Sequence, residues 1–156
     1  MSQEAHDGGP PPAGEARDTA ALLMHLTQLT LDNFEAVAAS FGLTTAQARA
    51  LLALEGPAPM RFLADYLRCN ASYVTGIVDA LESNHLVVRA VPDGDRRMKV
   101  LELTSEGRRT RTALEKAMLK ASPVMTGLDA AERHQLRSLL NKAIADPDSS
   151  HHSVQS

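Results

Sequence analysis

Arg96 and Arg97 stand side by side just after a Pro92-Asp93-Gly94 turn, between two apolar, partly β-branched runs, Leu86 to Val91 and Met98 to Leu103. Apolar runs flanking a polar loop of turn residues predict a β-hairpin, which puts both guanidinium groups at its tip. Paired guanidiniums on a projecting loop can lie along a phosphate backbone or enter a minor groove, whose negative potential favours them. A hairpin tip also carries charge simply to stay solvated. A second cluster, Asn70, Ser72, Tyr73 and Thr75, offers short hydrogen bonds and thymine-methyl contacts suited to the edges of bases in a major groove. No set of nucleophile, base or metal ligands converges, so the sequence predicts no enzyme and no cofactor. His25, His85, His134 and the His151-His152 pair show no i, i+4 ligand spacing, and no metal site is expected.

Positioning these clusters requires a short series of helices. Leu23, Leu26, Thr30, Phe34, Val37 and Phe41 recur every three or four residues, predicting one apolar face on a long first helix that Gly42 ends. At ~1.5 Å per residue this helix is ~35 Å long, more than a compact lobe needs. Thr44-Thr45-Ala46-Gln47 is a capping box for a second helix carrying Ala48, Leu51, Leu52 and Leu54, closed by Gly56 and Pro57. A Pro57-Ala58-Pro59 linker leads to a short third helix through Phe62, Leu63, Ala64 and Leu67. Asn70 caps a fourth, with Val74, Ile77, Val78 and Leu81 as its buried stripe. Two helices joined by so short a turn form a helix-turn-helix, and the hairpin that follows makes it winged. Thr104 caps a fifth helix with Glu106 in its first turn, ending near Ser122 before Pro123. Leu128 to Glu132 holds another capping box, and Leu136, Leu139, Leu140, Ala143 and Ile144 are expected to face inward from the last helix.

Charge distribution narrows the function classes. The chain has 156 residues and a net charge of −3, with no apolar run long enough to span a membrane and no signal-peptide pattern; a cytoplasmic protein is expected, with no membrane partner. Its one cysteine, Cys69, excludes an internal disulfide and is read as structural rather than as a redox switch. Acidic residues dominate the first 18 positions, whereas residues 105–146 carry eight Lys or Arg against five Asp or Glu. Residues 42–103 balance seven against seven, so nucleic-acid affinity must come from focused charges rather than a broad basic field.

Leu63-Ala64-Asp65-Tyr66-Leu67, Ser72-Tyr73-Val74-Thr75, Ile77-Val78-Asp79-Ala80-Leu81-Glu82, Leu86-Val87-Val88-Arg89, Asp95-Arg96-Arg97 and Leu103-Thr104-Ser105-Glu106-Gly107 together resemble the MarR family of bacterial transcriptional regulators. The resemblance covers roughly residues 18–145. It implies a homodimer whose first and last two helices interlock, an Asp95 that orients Arg97, and an Arg97 that reaches the minor groove of double-stranded DNA. It also implies an effector cleft between lobe and dimer arm, which Phe34, Phe41, Phe62 and Tyr66 either line or, as the preferred reading, leave empty by packing in the core. Arg108, Arg109 and Arg111 either touch phosphates near the wing or form a solvated helix face.

Several positions depart from the family pattern. Arg68 and His85 stand where glycine is usual, each demanding a left-handed backbone that costs a non-glycine residue roughly 1 kcal/mol. Residues 70–84 contain no Lys or Arg, and Ala71 and Gly76 replace frequent basic side chains. Gly76 lies away from the apolar stripe, either letting the helix backbone approach DNA closely or reflecting drift at a tolerant surface site.

The expected architecture is mainly α. A disordered tail at 1–15 precedes a dimerisation helix at 16–41 and a winged helix-turn-helix lobe at 42–104 with a two-stranded β wing. Dimerisation helices follow at 105–146, then a loose tail at 147–156. The expected function is sequence-specific regulation of transcription, as a repressor on a palindromic operator open to release by a small effector. Asn70, Ser72, Tyr73, Thr75, Gly76, Asp95, Arg96 and Arg97 are the DNA-binding candidates. The alternative is a winged-helix dimer working mainly through protein contacts.

Overall fold

The computed structural model describes residues 13–91 and 100–145. In chain order the elements are α1 (Ala13–Ser40), α2 (Thr45–Ala53), β1 (Ala58–Pro59), α3 (Met60–Leu67), α4 (Ala71–Ser83), β2 (Val87–Ala90), β3 (Val100–Leu103), α5 (Ser105–Ala121), α6 (Pro123–Gly127) and α7 (Ala130–Ala145). The fold is a mainly α winged helix-turn-helix lobe flanked by long terminal helices. No helix among the described residues is long and apolar enough to cross a membrane.

Helix starts follow the local capping chemistry. Thr44 and Gln47 exchange reciprocal bonds at the head of α2, the Thr44 Oγ1 accepting from the Gln47 N–H at 3.2 Å and Gln47 Oε1 accepting from the Thr44 N–H at 2.9 Å. Asn70 and Thr104 accept from the amides three residues on, at α4 and α5, and Asp129 with Glu132 repeats the box at α7. α1 begins at Ala13, three residues ahead of the expected start, and Glu15 in its first turn favours the positive end of the helix. At 28 residues it is about 42 Å long.

Three helix ends share one device. After α1, α3 and α4 the chain turns through a left-handed residue, Gly42 (φ 68°), Arg68 (φ 53°) and His85 (φ 57°). The next amide reaches back five residues each time: Leu43 to Ala38 at 3.1 Å, Cys69 to Ala64 at 3.1 Å and Leu86 to Leu81 at 2.9 Å. This bond needs the left-handed turn, whatever residue occupies it. Arg68→Gly and His85→Gly are each expected to raise stability by up to ~1 kcal/mol, the strain relieved being partly offset by the freer unfolded chain. Thermal or urea melts check this, and a loss on substitution refutes it.

The core is apolar and lies under α4. Val74, Ile77, Val78 and Leu81, the stripe predicted from spacing, are buried against Ala48, Leu51, Leu54, Leu63, Leu86, Val87, Leu101 and Leu114. Leu114 belongs to α5, so the lobe's core is completed by a helix outside the helix-turn-helix. Arg111 adds a tie, its Nε donating to the Leu52 carbonyl at 3.2 Å. Cys69 is half-buried against the same core.

Three expectations are corrected. The wing strands β2 and β3 pair as expected, but they belong to a three-stranded sheet, in the order β1-β3-β2, all antiparallel, with Ala58 opposite Leu101 and Arg89 opposite Leu101 on the other side. The presumed linker supplies the extra strand, and an edge position tolerates Pro59 because its missing N–H leaves no central ladder broken. Phe62 and Tyr66 are not core residues. α3 buries Leu63, leaving them on its flank, stacked at 6.2 Å between ring centroids with the Arg49 guanidinium 5.9 Å from the Tyr66 ring. Finally, α7 buries nothing within the chain: Leu139 is 58% and Ile144 75% exposed, and Leu140 and Ala143 also face solvent, with Leu136 half-buried. Its apolar spacing is real, but no element among the described residues buries it.

Candidate nucleic-acid interface

α4 divides cleanly between two faces. Opposite its buried stripe, Ser72, Tyr73, Thr75, Gly76 and Asp79 are exposed. Asn70, at the head of the helix, is exposed too, but its Oδ1 already accepts the Tyr73 amide at 2.9 Å; its side-chain NH₂ carries the remaining donors. Thr75 donates its hydroxyl to the Ala71 carbonyl at 2.9 Å, which leaves its oxygen as an acceptor and its methyl outward. Tyr73 is 57% exposed.

A shallow depression beside α4 is lined by Thr44, Gln47, Asn70, Ser72, Tyr73, Gly76 and Ile77. The capping residues of α2 and α4 both border it, so two helix N-termini, each with a partial positive charge, meet at one surface. That surface lacks Lys and Arg on α4 itself, and the paired N-termini are its compensating electropositive element. Thr44 and Gln47 were legible as caps, but nothing local in the sequence placed them next to α4. Only the packing of α2 across α4 does so.

At Gly76 an added Cβ would meet nothing within 4 Å. No contact inside the chain therefore requires glycine there. Gly76→Ala is expected to raise stability by a few tenths to ~1 kcal/mol, the ordinary helix propensity gain. If duplex DNA approaches this turn closely, Gly76→Ala also weakens specific binding and Gly76→Leu weakens it further. Wild-type affinity for the leucine variant in a fluorescence-anisotropy titration rules out close approach.

Asp95, Arg96 and Arg97 lie outside the described residues. The strands leading to them are well defined: β2 and β3 pair from Val87 opposite Leu103 to Ala90 opposite Val100. Their roots are anchored by the Thr104-Ser105-Glu106-Gly107 segment. The Thr104 amide donates to the Leu86 carbonyl at 3.1 Å, its hydroxyl to the His85 carbonyl at 2.6 Å, and Gly107 packs directly on Leu86.

Of the other arginines considered, Arg108 donates to the Leu103 carbonyl at 2.6 Å and Arg109 pairs with Glu106, while Arg111 is tied to Leu52 and Glu55. All three are engaged within the chain. One arginine that sequence reading did not single out is Arg89 of β2, which bridges to Asp79 and Glu82 of α4. No group of three or more His, Cys, Asp or Glu is arranged to hold a metal ion among the described residues.

This arrangement is matched elsewhere. The MarR family model aligns with residues 43–99, from just after α1 up to the start of β3. These residues form a MarR family domain. Among solved structures the chain is similar to CouR from Rhodococcus jostii RHA1 bound to p-coumaroyl-CoA, at 29% identity and a TM-score of 0.67, over 85% of this chain and 94% of that one. It is similar to a MarR family transcriptional regulator from Rhodococcus sp. RHA1, at 28% identity and a TM-score of 0.65, over 85% and 95%. A MarR family regulator from Silicibacter pomeroyi matches at 26% identity and a TM-score of 0.64, over 85% and 92%. Among curated proteins none matches the chain. The family match and these similarities support the coarse reading: the chain is a DNA-binding transcriptional regulator and not an enzyme.

Proposed function

We propose that the protein is a homodimeric repressor acting in the cytoplasm on a palindromic operator. In this reading α4 enters the major groove, where Asn70, Ser72, Tyr73, Thr75 and Gly76 meet bases and backbone. Arg96 and Arg97, with Asp95 orienting Arg97, follow the adjacent minor groove. α1 and α5–α7 form the dimer arm. The observation that carries the reading is the division of α4, whose one face completes the core while the other is polar, exposed and flanked by two helix N-termini.

Two-fold symmetry makes the half-sites lie about one helical turn, ~10 bp, apart on one face of the duplex. Selection of bound sequences from a random duplex pool gives the operator. Inserting half a turn between its halves is expected to abolish binding, and Arg97→Ala to weaken it by ~1–3 kcal/mol per subunit with an unchanged melting temperature. Failure to enrich any sequence at low salt refutes the operator reading and favours a lobe that works through protein contacts. Wild-type affinity for Arg97→Ala refutes the role of the wing.

A small effector releases the operator in this reading. A cleft of about 580 Å³ runs between α1, α2 and the start of α4, lined by Glu35, Ala39, Leu43, Thr45, Arg49 and Tyr73 among others. Tyr73 walls both this cleft and the depression on the DNA face, so an occupant would displace a side chain that the operator needs. CouR was solved with p-coumaroyl-CoA, and aromatic acyl thioesters are therefore the first compounds to titrate into the operator complex.

A further inference from the structure

We infer that Arg89 is a positioning residue for DNA recognition: it clamps the recognition helix to the strand that carries the wing and offsets part of the negative charge that helix bears. The inference rests on the reading of α4 and the wing as the DNA-binding elements.

Arg89 lies in β2 two residues after buried Val87, and strand alternation puts both on the face turned toward α4. Its Nη2 donates to Asp79 Oδ1 at 2.6 Å, its Nη1 donates to Glu82 Oε2, and its backbone N–H donates to Glu82 Oε1 at 3.0 Å. One residue thus occupies both oxygens of Glu82 and one of Asp79. The guanidinium side chain is 28% exposed and Glu82 30%, so the contact is partly shielded from solvent. A planar fork holding two carboxylates three residues apart on a helix fixes rotation as well as distance, which a single lysine could not do.

The charge pattern gives this contact a consequence. Between Ala71 and Ser83 the only ionised residues are Asp79 and Glu82, and Asp79 shares the exposed side of α4 with Tyr73 and Gly76. Two uncompensated carboxylates on a helix entering a groove would repel phosphates. Arg89 offsets one of the two negative charges and holds both carboxylates in ion pairs, while adding no free cation to the DNA face. The chain between α4 and β2 is short and passes through the left-handed His85, so the clamp adds a side-chain tie beyond the backbone bonds of that turn. Losing it frees the angle between helix and wing.

The test exploits opposite signs. In Asp79→Ala with Glu82→Ala, two negative charges leave the interface and Arg89 becomes a free cation. Electrostatics alone then predicts tighter binding to any duplex. The clamp predicts that affinity for the selected operator falls about tenfold or more while affinity for a random duplex at low salt is kept or raised. Equal or tighter operator binding overturns the inference, as does equal loss on both duplexes in a variant that still melts cooperatively. Should the double variant fail to fold, Glu82→Gln is read by the same criterion, since it keeps shape and loses the charge. Wild-type protein is titrated in parallel: if it shows no operator preference, the DNA-binding reading of α4 fails and not the clamp alone. As a second readout, spin labels at positions 72 and 91 should give a narrow distance distribution in wild type and a broad one in the variant. An unchanged width also overturns the clamp.

Discussion

Replacing Leu139 and Ile144 of α7 together with glutamate is expected to convert the protein from dimer to monomer and to raise the operator Kd at least a hundredfold. Both side chains face outward, 58% and 75% exposed, with Leu140 beside them. At the other end of the chain Leu22, Met24 and Leu31 are 69%, 72% and 55% exposed on α1, and Leu23 is half-exposed. Isolated apolar side chains on a surface are ordinary, but two long helices with continuous apolar faces are the signature of an interface. Covering each Leu or Ile contributes ~1.5–3 kcal/mol, twice over in a symmetric dimer, and a buried unpaired glutamate costs several kcal/mol more. The variant's lobe should still fold, because α7 contributes nothing to the buried core. Sedimentation velocity reads the mass and anisotropy the affinity. A wild-type chain that sediments as a monomer at micromolar concentration, or a variant that remains a dimer, defeats the prediction.

Gly107→Ala is expected to be the most destabilising glycine-to-alanine change among the described residues. The added Cβ would lie 1.9 Å from the Leu86 carbonyl oxygen and 2.9 Å from its carbon, both backbone atoms that no rotamer change can clear. Either α5 must move off β2 or the strand must bend, and both moves strain the Thr104 amide bond to the same carbonyl. Overpacking against backbone costs about 3 kcal/mol or more. For a chain of this size that lowers Tm by roughly 6–12 °C. Operator affinity should fall as well, because the displaced strand is the root of the wing. Calorimetry gives the first number, and a Tm within about 1 °C of wild type would show that α5 shifts freely.

How much of this was legible beforehand depends on the distance over which each feature is determined. The caps at Thr44, Asn70, Thr104 and Asp129 and the stripe Val74-Ile77-Val78-Leu81 are encoded within one or two helical turns, and the structure has them where spacing put them. The left-handed turns at Arg68 and His85 were expected only through the family resemblance, from the glycines usual at those positions, and the structure has both. Leu-Thr-x-x-Gly was visible as a pattern, whereas the reason for its glycine, contact with the Leu86 backbone, is not local.

Tertiary structure alone decided the rest. β1 is two residues long, too short to have a period, and exists only because β3 offers a free edge. The Arg89 clamp joins residues seven and ten positions apart across a turn, and nothing in the types Asp79, Glu82 and Arg89 distinguishes it from ordinary surface charge until helix and strand are packed. Thr44 and Gln47 reach the face of α4 only through the crossing of α2. The direction of α7 is the sharpest case. Apolar residues every three or four positions specify that a helix has a face to bury, but the hydrophobic effect has no direction of its own, and burial by the same chain or by a second copy removes the same surface from water. Only the folded chain, with its core closed by Leu114 of α5 and α7 outside it, shows that this face remains uncovered among the described residues.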